Sequence, residues 1–252
     1  MILGSSPAES LVGSRVFTLQ LLGGFRLRAD DDEEIRLTET AQRVLALVAV
    51  QAQSLRRVHA AGLLWPDVTH ERSIGSLRSA VWSINRLDAR LLSADRRSLR
   101  LGSCVAVDLH RARALAARLI DGSVITDDLG SAARELLSRD LLPGWYDDWS
   151  LLAGEEWRQT RTHALESMAA NLLERARPGD AVLAALEAAN AEPLRESAHL
   201  LVIRAYAAEG NASRALAHFT EFRLLLASTL GARPTARTVD LVNRLRAQIT
   251  LD

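Results

Sequence analysis

Residues 73–92 decide the fold, and they read SIGSLRSAVWSINRLDARLL. Apolar residues recur here at spacings of four, three, three and four, which places them on one side of an α-helix; they are Leu77, Val81, Ile84, Leu87 and Leu91. The opposite face carries Arg78, Ser79, Trp82, Asn85, Arg86 and Arg90. Arginine, asparagine and serine on the free face of a docked helix are typical of a helix that reads the DNA major groove. An ordinary solvated amphipathic helix explains the same pattern equally well.

The surrounding stretches predict a small mixed domain. Alternating and β-branched residues predict strands over residues 16–22, 25–28 and 35–37. Ahead of residue 73, one helix is predicted after a cap at Thr38 or Thr40 and another over residues 58–64. After the residue 73–92 helix, residues 91–101 predict a hairpin with a basic turn, and residues 105–109 predict extended chain. A small sheet, three helices and a basic hairpin in this order predict a winged helix-turn-helix.

Beyond Leu109 the pattern is helical to the end of the chain. The predicted helices are residues 110–119, 129–137, 155–175, 180–190, 194–209, 212–230 and 235–249. Two Gly-initiated helices begin 31 residues apart, at Gly179 and Gly210, and alanines at the predicted crossings resemble tetratricopeptide-like helix pairs. We therefore predict a mainly α protein of two domains. Its parts are a flexible tail over residues 1–14, an α+β winged helix over residues 15–109, and an all-α tetratricopeptide-like repeat domain over residues 110–252.

The charge of the chain is distributed unevenly. Basic and acidic residues balance, at 31 each, which excludes a generic polycation that coats nucleic acid or membranes. Residues 40–107, however, contain ten arginines against four acidic residues, a net charge of +6. Residues 108–252 contain 17 arginines against 20 acidic residues, a net charge of −3. This asymmetry is expected when only one part of a chain meets phosphates.

Several enzyme and cofactor chemistries are excluded by residue type. The chain contains no lysine, so a P-loop and a Schiff-base lysine are both impossible. Cys104 is the single cysteine, and the six histidines lack metal-ligand spacing. The longest apolar run, residues 44–50, is too short to span a bilayer. We predict a cytoplasmic protein that is not an enzyme, binds no cofactor or metal, and does not enter the membrane.

Four separated motifs carry a family resemblance. They are LWPD with ERSIGSLRSAVW at residues 64–67 and 71–82, LPGWYDDW at 142–149, EPLRESAH at 192–199 and LGARPT at 230–235. In this order they resemble the Streptomyces antibiotic regulatory protein (SARP) family of activators, and the resemblance covers about residues 15–245. The second motif looks like the junction segment of that family's bacterial transcriptional activation domain.

The resemblance implies both a mechanism and partners. It implies an OmpR-type winged helix that binds direct repeats in promoter DNA, followed by a tetratricopeptide-like activation domain. That domain would support a homodimer on DNA and contact with RNA polymerase holoenzyme, and the targets would be secondary-metabolite genes. Two other functions fit the residues: a protein-interaction scaffold with a degenerate winged helix, and a ligand-gated repressor.

Candidate DNA contacts follow from the helix face and the basic hairpin. The predicted base-reading residues are Arg78, Ser79, Trp82 and Asn85. The predicted phosphate or wing contacts are Arg56, Arg57, Arg72, Arg86, Arg90, Arg96, Arg97 and Arg100. Trp82 can instead pack against the wing or a partner protomer, and the arginines of the hairpin and of residues 56–57 can simply be solvated. Members of the family often have a basic residue at one or both positions matched by Ser83 and Asn85, so we expect an altered target sequence or fewer phosphate contacts.

An aromatic cluster begins the helical region. Its members are Trp145, Tyr146, Trp149 and Trp157. Large aromatic side chains are more often packing than recognition, so we interpret the cluster as a core. A ligand-binding cage is the alternative.

Overall fold

The computed structural model describes residues 16–30 and 33–251, with side chains through residue 248. The predicted tail over residues 1–14 lies outside the described residues. The chain divides into two compact units. The first comprises the described residues through Gln20 together with Phe25–Val107, and the second comprises Leu21–Gly24 together with the chain from Asp108 onward.

A three-stranded sheet lies in the first unit. Its strands are β1 (Phe17–Gln20), β2 (Arg26–Ala29) and β6 (Val105–Val107), in the order β2-β1-β6. The central strand β1 is antiparallel to β2 and parallel to β6, with Leu19 opposite Leu27. Alternate side chains therefore point inward, and Phe17, Leu19 and Leu27 are buried.

The predicted strand over residues 35–37 is wrong. The edge of β2 is extended by an isolated bridge between Glu34 and Arg28 and by two backbone hydrogen bonds, from the Ala29 N–H to the Glu33 carbonyl and from the Ile35 N–H to the Leu27 carbonyl. The chain then leaves the sheet, because Thr38 caps the next helix by accepting a hydrogen bond from the Ala41 N–H.

Helices and a hairpin complete the first unit. They are α1 (Glu39–Gln51), β3 (Leu55–Arg56), α2 (Arg57–Leu64), α3 (His70–Leu87), β4 (Leu92–Ala94) and β5 (Ser98–Leu101). β3, β5 and β4 form a second sheet in that order, so the predicted hairpin recruits an additional two-residue strand from just before α2. The winged-helix prediction is confirmed.

The hairpin turn is fixed by Asp95. Its carboxylate accepts hydrogen bonds from the Arg97 and Ser98 N–H groups and from the Ser98 hydroxyl. These bonds stabilise the charged form and lower the pKa of Asp95 to about 2. Beyond β5, Gly102 donates its N–H to the Leu91 carbonyl, and a Cβ here would overlap the Arg90 carbonyl oxygen. We call the hairpin of residues 92–101 the wing.

The predicted extension of α3 to residue 92 is wrong. Leu77, Val81 and Ile84 are buried as the apolar stripe predicts, but Leu87 is 53% exposed. The helix ends there because the Asp88 carboxylate accepts the Arg90 N–H, a local bond that competes with continued helix. Leu91 is buried, but it lies beyond the helix.

The second unit is built of helices. They are α4 (Asp108–Asp121), a short 3-10 helix (Thr126–Leu129), α5 (Ser131–Ser138), α6 (Asp148–Glu174), α7 (Pro178–Ala191), α8 (Glu196–Ala208), α9 (Ala212–Leu230) and α10 (Ala236–Leu251). From α6 to α10 each helix packs against the next, as in a helical repeat. The prediction of extended chain through Leu109 is wrong, because α4 already begins at Asp108. The predicted start of α6 at residue 155 is also wrong, since the helix begins seven residues earlier.

Small residues and paired charges hold this unit together. Helix α7 buries a row of alanines, Ala181, Ala184, Ala185, Ala188 and Ala189, which lets its neighbours approach closely. The buried Arg161 of α6 donates to the Leu137 and Ser138 carbonyls and to the Asp140 carboxylate. Glu196, at the start of α8, accepts hydrogen bonds from Thr235 and Thr238 and so ties α8 to the start of α10.

Candidate nucleic-acid interface

The free face of α3 is polar and exposed. A period of 3.6 residues places Gly75, Ser79, Trp82 and Arg86 along one outward row, with Arg78 beside it. Trp82 is 63% exposed, and Arg78, Ser79 and Arg86 are exposed as well. The structure therefore brings three of the four predicted base readers, Arg78, Ser79 and Trp82, to one surface.

The fourth, Asn85, lies at the margin of this surface. Its side chain is half-buried, and its Oδ1 atom is buried without a hydrogen-bond partner among the described residues. Ser83 is half-buried on another side of the helix. The two positions at which this sequence departs from the family pattern are therefore less exposed than the row through Trp82.

Trp82 and Arg86 form a stacked pair. The Arg86 guanidinium carbon lies 5.2 Å from the centroid of the Trp82 ring, a cation–π distance. Within the described part of the chain, neither Arg86 nor Arg78 has a carboxylate partner. Ser79 donates its hydroxyl hydrogen to the Gly75 carbonyl of its own helix, at 3.2 Å, which leaves the oxygen free to accept.

An open groove of about 1170 Å³ runs beside this face. Helix α3, the start of α2 and the turn of the wing line it together. The lining residues are Arg56, Arg57, Val58, His70, Ile74, Arg78, Ala94, Asp95, Arg96 and Arg97. Five arginines thus face one carboxylate, Asp95, which is already engaged by the wing turn. Arg57 fastens α2 to the wing by donating to the Asp95 carbonyl. Such a groove suits a chain of phosphates.

Three predicted phosphate contacts lie elsewhere. Arg72 is exposed near the start of α3 and Arg100 is exposed on β5, and neither lines the groove. Arg90 was predicted on the polar face of the helix, and this placement is wrong because α3 ends at Leu87. Its guanidinium instead forms two bonds to the Asp88 carboxylate, at 3.0 and 2.7 Å, and this pairing raises the pKa of Arg90.

The sequence did not reveal that α2 and the wing share a groove with α3. This proximity depends on the pairing of β3 with β5, and β3 is only two residues long. His70, Val58 and Ile74 were also missed as lining residues. One signal was present, since His70, Ile74 and Arg78 follow one another at intervals of four.

The aromatic cluster in the second unit is packing. Trp157 is buried and donates its ring N–H to the Arg139 carbonyl, and Trp149 packs edge-on against Trp145 at 6.1 Å. Tyr146 is 82% exposed, whereas Trp157 is buried. Over the described ranges, no group of three or more side chains is placed to hold a metal ion. None of the helices described combines the length and apolar character that a membrane crossing needs.

A winged helix beside an arginine-lined groove, followed in the chain by a helical repeat unit, is the architecture of a transcription regulator. Residues 107–246 match the family described as "Bacterial transcriptional activator domain". This match covers more than half of the chain, and the chain belongs to that family. Membership implies a regulator of transcription that is not an enzyme, as the sequence predicts.

A solved structure has the same fold. Mycobacterium tuberculosis EmbR, in complex with a low affinity phosphopeptide, is 19% identical to this chain with a TM-score of 0.66. The similarity covers 93% of this chain and 66% of the EmbR chain, so this chain spans just under two thirds of that relative. No curated protein matches. The two matches confirm the resemblance drawn from the motifs, a winged helix followed by a bacterial transcriptional activation domain.

Proposed function

We propose that this chain is a sequence-specific transcriptional activator of the SARP type. Residues 15–109 would bind direct repeats in promoter DNA, and residues 110–252 would support a homodimer on DNA and recruit RNA polymerase holoenzyme. The genes controlled would be those of secondary metabolism. The protein would act in the cytoplasm, on the nucleoid.

The observation that carries this proposal is the exposed row on α3 beside the arginine-lined groove. A helix that enters the major groove needs accessible side chains on its free face. Arg78 offers donors, Ser79 keeps its oxygen free to accept, and Trp82 offers an exposed ring. Phosphates flank the base edges on either side of that groove. The groove arginines, Arg56, Arg57, Arg96 and Arg97, lie to the side of the helix, where one strand of phosphates would pass.

The two sets of residues have different expected effects. Arg78 is assigned to base edges, so Arg78→Ala should relax the sequence preference. Arg96 and Arg97 are assigned to phosphates, so their removal should weaken binding to all sequences alike. Arg72 and Arg100 are assigned to phosphates at the edges of the surface. Arg90 is left out because Asp88 already holds it.

The test begins with selection of duplexes from a randomised library by the full chain. Binding of an enriched duplex and a scrambled duplex is then measured by fluorescence anisotropy at several salt concentrations. Each phosphate contact adds roughly 0.9 to the slope of log affinity against log salt, so Arg96→Ala/Arg97→Ala should flatten the slope by about 2. Arg223→Ala, which removes an exposed arginine of α9, is the matched control and should leave the slope unchanged.

Binding that ignores both salt and sequence would contradict the activator proposal. That result would favour a helical interaction scaffold with a winged helix that no longer binds DNA.

A further inference from the structure

The Trp82–Arg86 pair lies in the outward row of α3, and none of the described residues of the first unit buries it. Trp82 exposes 63% of its surface on the face that the proposed function turns toward DNA. A large indole left mostly in water adds little packing to the unit. The ring thus provides a rigid apolar surface where base edges would lie.

The stack also fixes Arg86. An exposed arginine normally samples many rotamers, but the ring of Trp82, 5.2 Å away, restrains the guanidinium plane. The guanidinium carbon lies over the ring, and no carboxylate among the described residues accepts a hydrogen bond from the Arg86 N–H groups. A planar fork of free donors, held in one orientation, is suited to a bidentate acceptor.

The position of the pair distinguishes bases from phosphates. Arg86 shares the outward row with Gly75 and Ser79, whereas four of the five groove arginines belong to β3, α2 and the wing beside the helix. A recognition helix directs its central row at base edges and its flanks at the sugar–phosphate backbone. Of the four bases, guanine alone offers two acceptors, O6 and N7, on its major-groove edge, while thymine alone offers a methyl group.

We propose that Trp82 and Arg86 act as one unit that reads a thymine next to a guanine. The Trp82 ring would pack against the thymine C5-methyl group, and Arg86 would donate two hydrogen bonds to guanine O6 and N7. Neighbouring base pairs are spaced by roughly 3.4 Å along the duplex, so two stacked side chains can reach adjacent pairs. This inference rests on the proposed function and revises the sequence-based assignment of Arg86 from phosphate to base.

The experiment uses the full chain and the duplex that it enriches from the randomised library. Each guanine in that duplex is replaced singly by 7-deazaguanine, which lacks the N7 acceptor. Each thymine is replaced singly by deoxyuridine, which lacks the methyl group. Affinities are measured for the wild type and for Trp82→Ala, Arg86→Ala and Arg72→Ala, with circular dichroism to verify folding. Arg72→Ala is the control because Arg72 is exposed on the same helix but 14 residues before Arg86, about 21 Å along the axis, and would therefore contact a different part of the duplex.

We expect one guanine at which the 7-deaza substitution lowers wild-type affinity about 10-fold, and an adjacent thymine at which deoxyuridine also lowers it. The 7-deaza effect should disappear in Arg86→Ala, which removes the donors, and shrink in Trp82→Ala, which removes the ring that restrains them. The deoxyuridine effect should disappear in Trp82→Ala. Arg72→Ala should retain both effects.

The inference is overturned if no guanine responds to the 7-deaza substitution, or if Arg86→Ala retains the full response. Either outcome, obtained with a specifically bound duplex, would leave the proposed function intact. Failure to enrich any sequence would contradict the proposed function itself, and this inference with it.

Discussion

The two units use the same residue, arginine, in opposite ways. In the first unit Arg78, Arg86 and Arg96 meet no carboxylate within the described ranges. In the second unit arginines are paired with acids, as in Arg118–Asp128, Arg158–Glu192, Arg161–Asp140, Arg177–Asp180 and Arg195–Glu166. The three arginines named in the first unit are therefore available to a ligand, although Arg90 of that unit is paired with Asp88, whereas the five named in the second unit bind its own carboxylates. A neutral total charge conceals this difference, and the following experiments test it.

The largest effect is expected at Arg161. Arg161→Ala would leave the Leu137 and Ser138 carbonyls without a donor in a buried site, so we expect a loss of about 3 kcal/mol in the free energy of unfolding. Arg78→Ala, in the first unit, should change that free energy by less than about 0.5 kcal/mol, because its side chain is exposed and unpaired. Urea unfolding of both variants measures the contrast. If both variants lost the same free energy of unfolding, the proposed contrast between structural arginines in the second unit and available arginines in the first would be wrong.

Acid is expected to weaken the second unit through His218. The His199 Nε2 atom lies 2.9 Å from the Pro193 carbonyl and must donate to it, so its Nδ1 atom accepts from His218 Nε2. Burial lowers the pKa of His218 to about 4 and also lowers that of His199. Below pH 6.5 the unfolded chain therefore binds protons that the folded chain rejects.

The resulting loss of stability between pH 6.5 and about 4 is at most about 1.4 kcal/mol per pH unit for each proton taken up. Unfolding at stepped pH measures this slope, and His218→Gln should reduce it. A slope that is unaffected by His218→Gln would assign the acid sensitivity to other groups.

A smaller and two-sided effect is expected at Gly75. This glycine is exposed in the middle of α3, and a Cβ there would meet nothing within 4 Å. Gly75→Ala should therefore stabilise the first unit by roughly 0.5–1 kcal/mol, because alanine favours the helix. In the proposed complex the added methyl group would approach the DNA, so affinity should fall while stability rises. An alanine variant with unchanged affinity would place Gly75 outside the DNA contact.

The smallest effect is expected at the wing turn. Asp95 keeps its charge down to about pH 2 because three donors surround its carboxylate. Since the folded pKa is depressed, its contribution is fully present above the unfolded value near 4 and is lost as the pH falls toward 2. Carbon-detected NMR of the Asp95 carboxyl should give a midpoint near 2, whereas a midpoint near 4 would contradict this geometry. The wing should thus persist at a pH that already weakens the second unit.

Local signals explain which elements were predictable. The bounds of α9 were predicted to the residue, because Asn211 caps its start and Gly231 adopts a left-handed conformation at its end. The end of α3 was missed because a side-chain bond from Asp88 overrides a continuing apolar pattern. The start of α6 was missed because its first turns contain aromatic residues that looked like a separate cluster, although Trp149, Ala153 and Trp157 are spaced by four.

The polar side chains of the candidate site could be predicted from the sequence, but the groove that several elements form around them could not. The outward row of α3 follows from helical periodicity, so Arg78, Ser79 and Trp82 could be identified from the sequence alone. The groove could not, because it depends on a long-range pairing that brings Leu55 opposite Leu99 and so carries Arg56 and Arg57 to the wing. Periodicity gives the face of one element, whereas pairing between distant strands depends on tertiary packing.

The short segment Leu21–Gly24 affects how this protein can be taken apart. It lies in sequence between β1 and β2 but belongs to the helical unit, where the Leu21 and Leu22 N–H groups donate to the Asp108 carboxylate and Leu142 donates to the Leu21 carbonyl. The helical unit is therefore discontinuous in the amino-acid sequence. A chimera joined at residue 108 would take residues 21–24 from the foreign protein but keep the native helices that bind this segment. An exchange of the helical unit should therefore transfer residues 21–24 together with the chain from Asp108 onward.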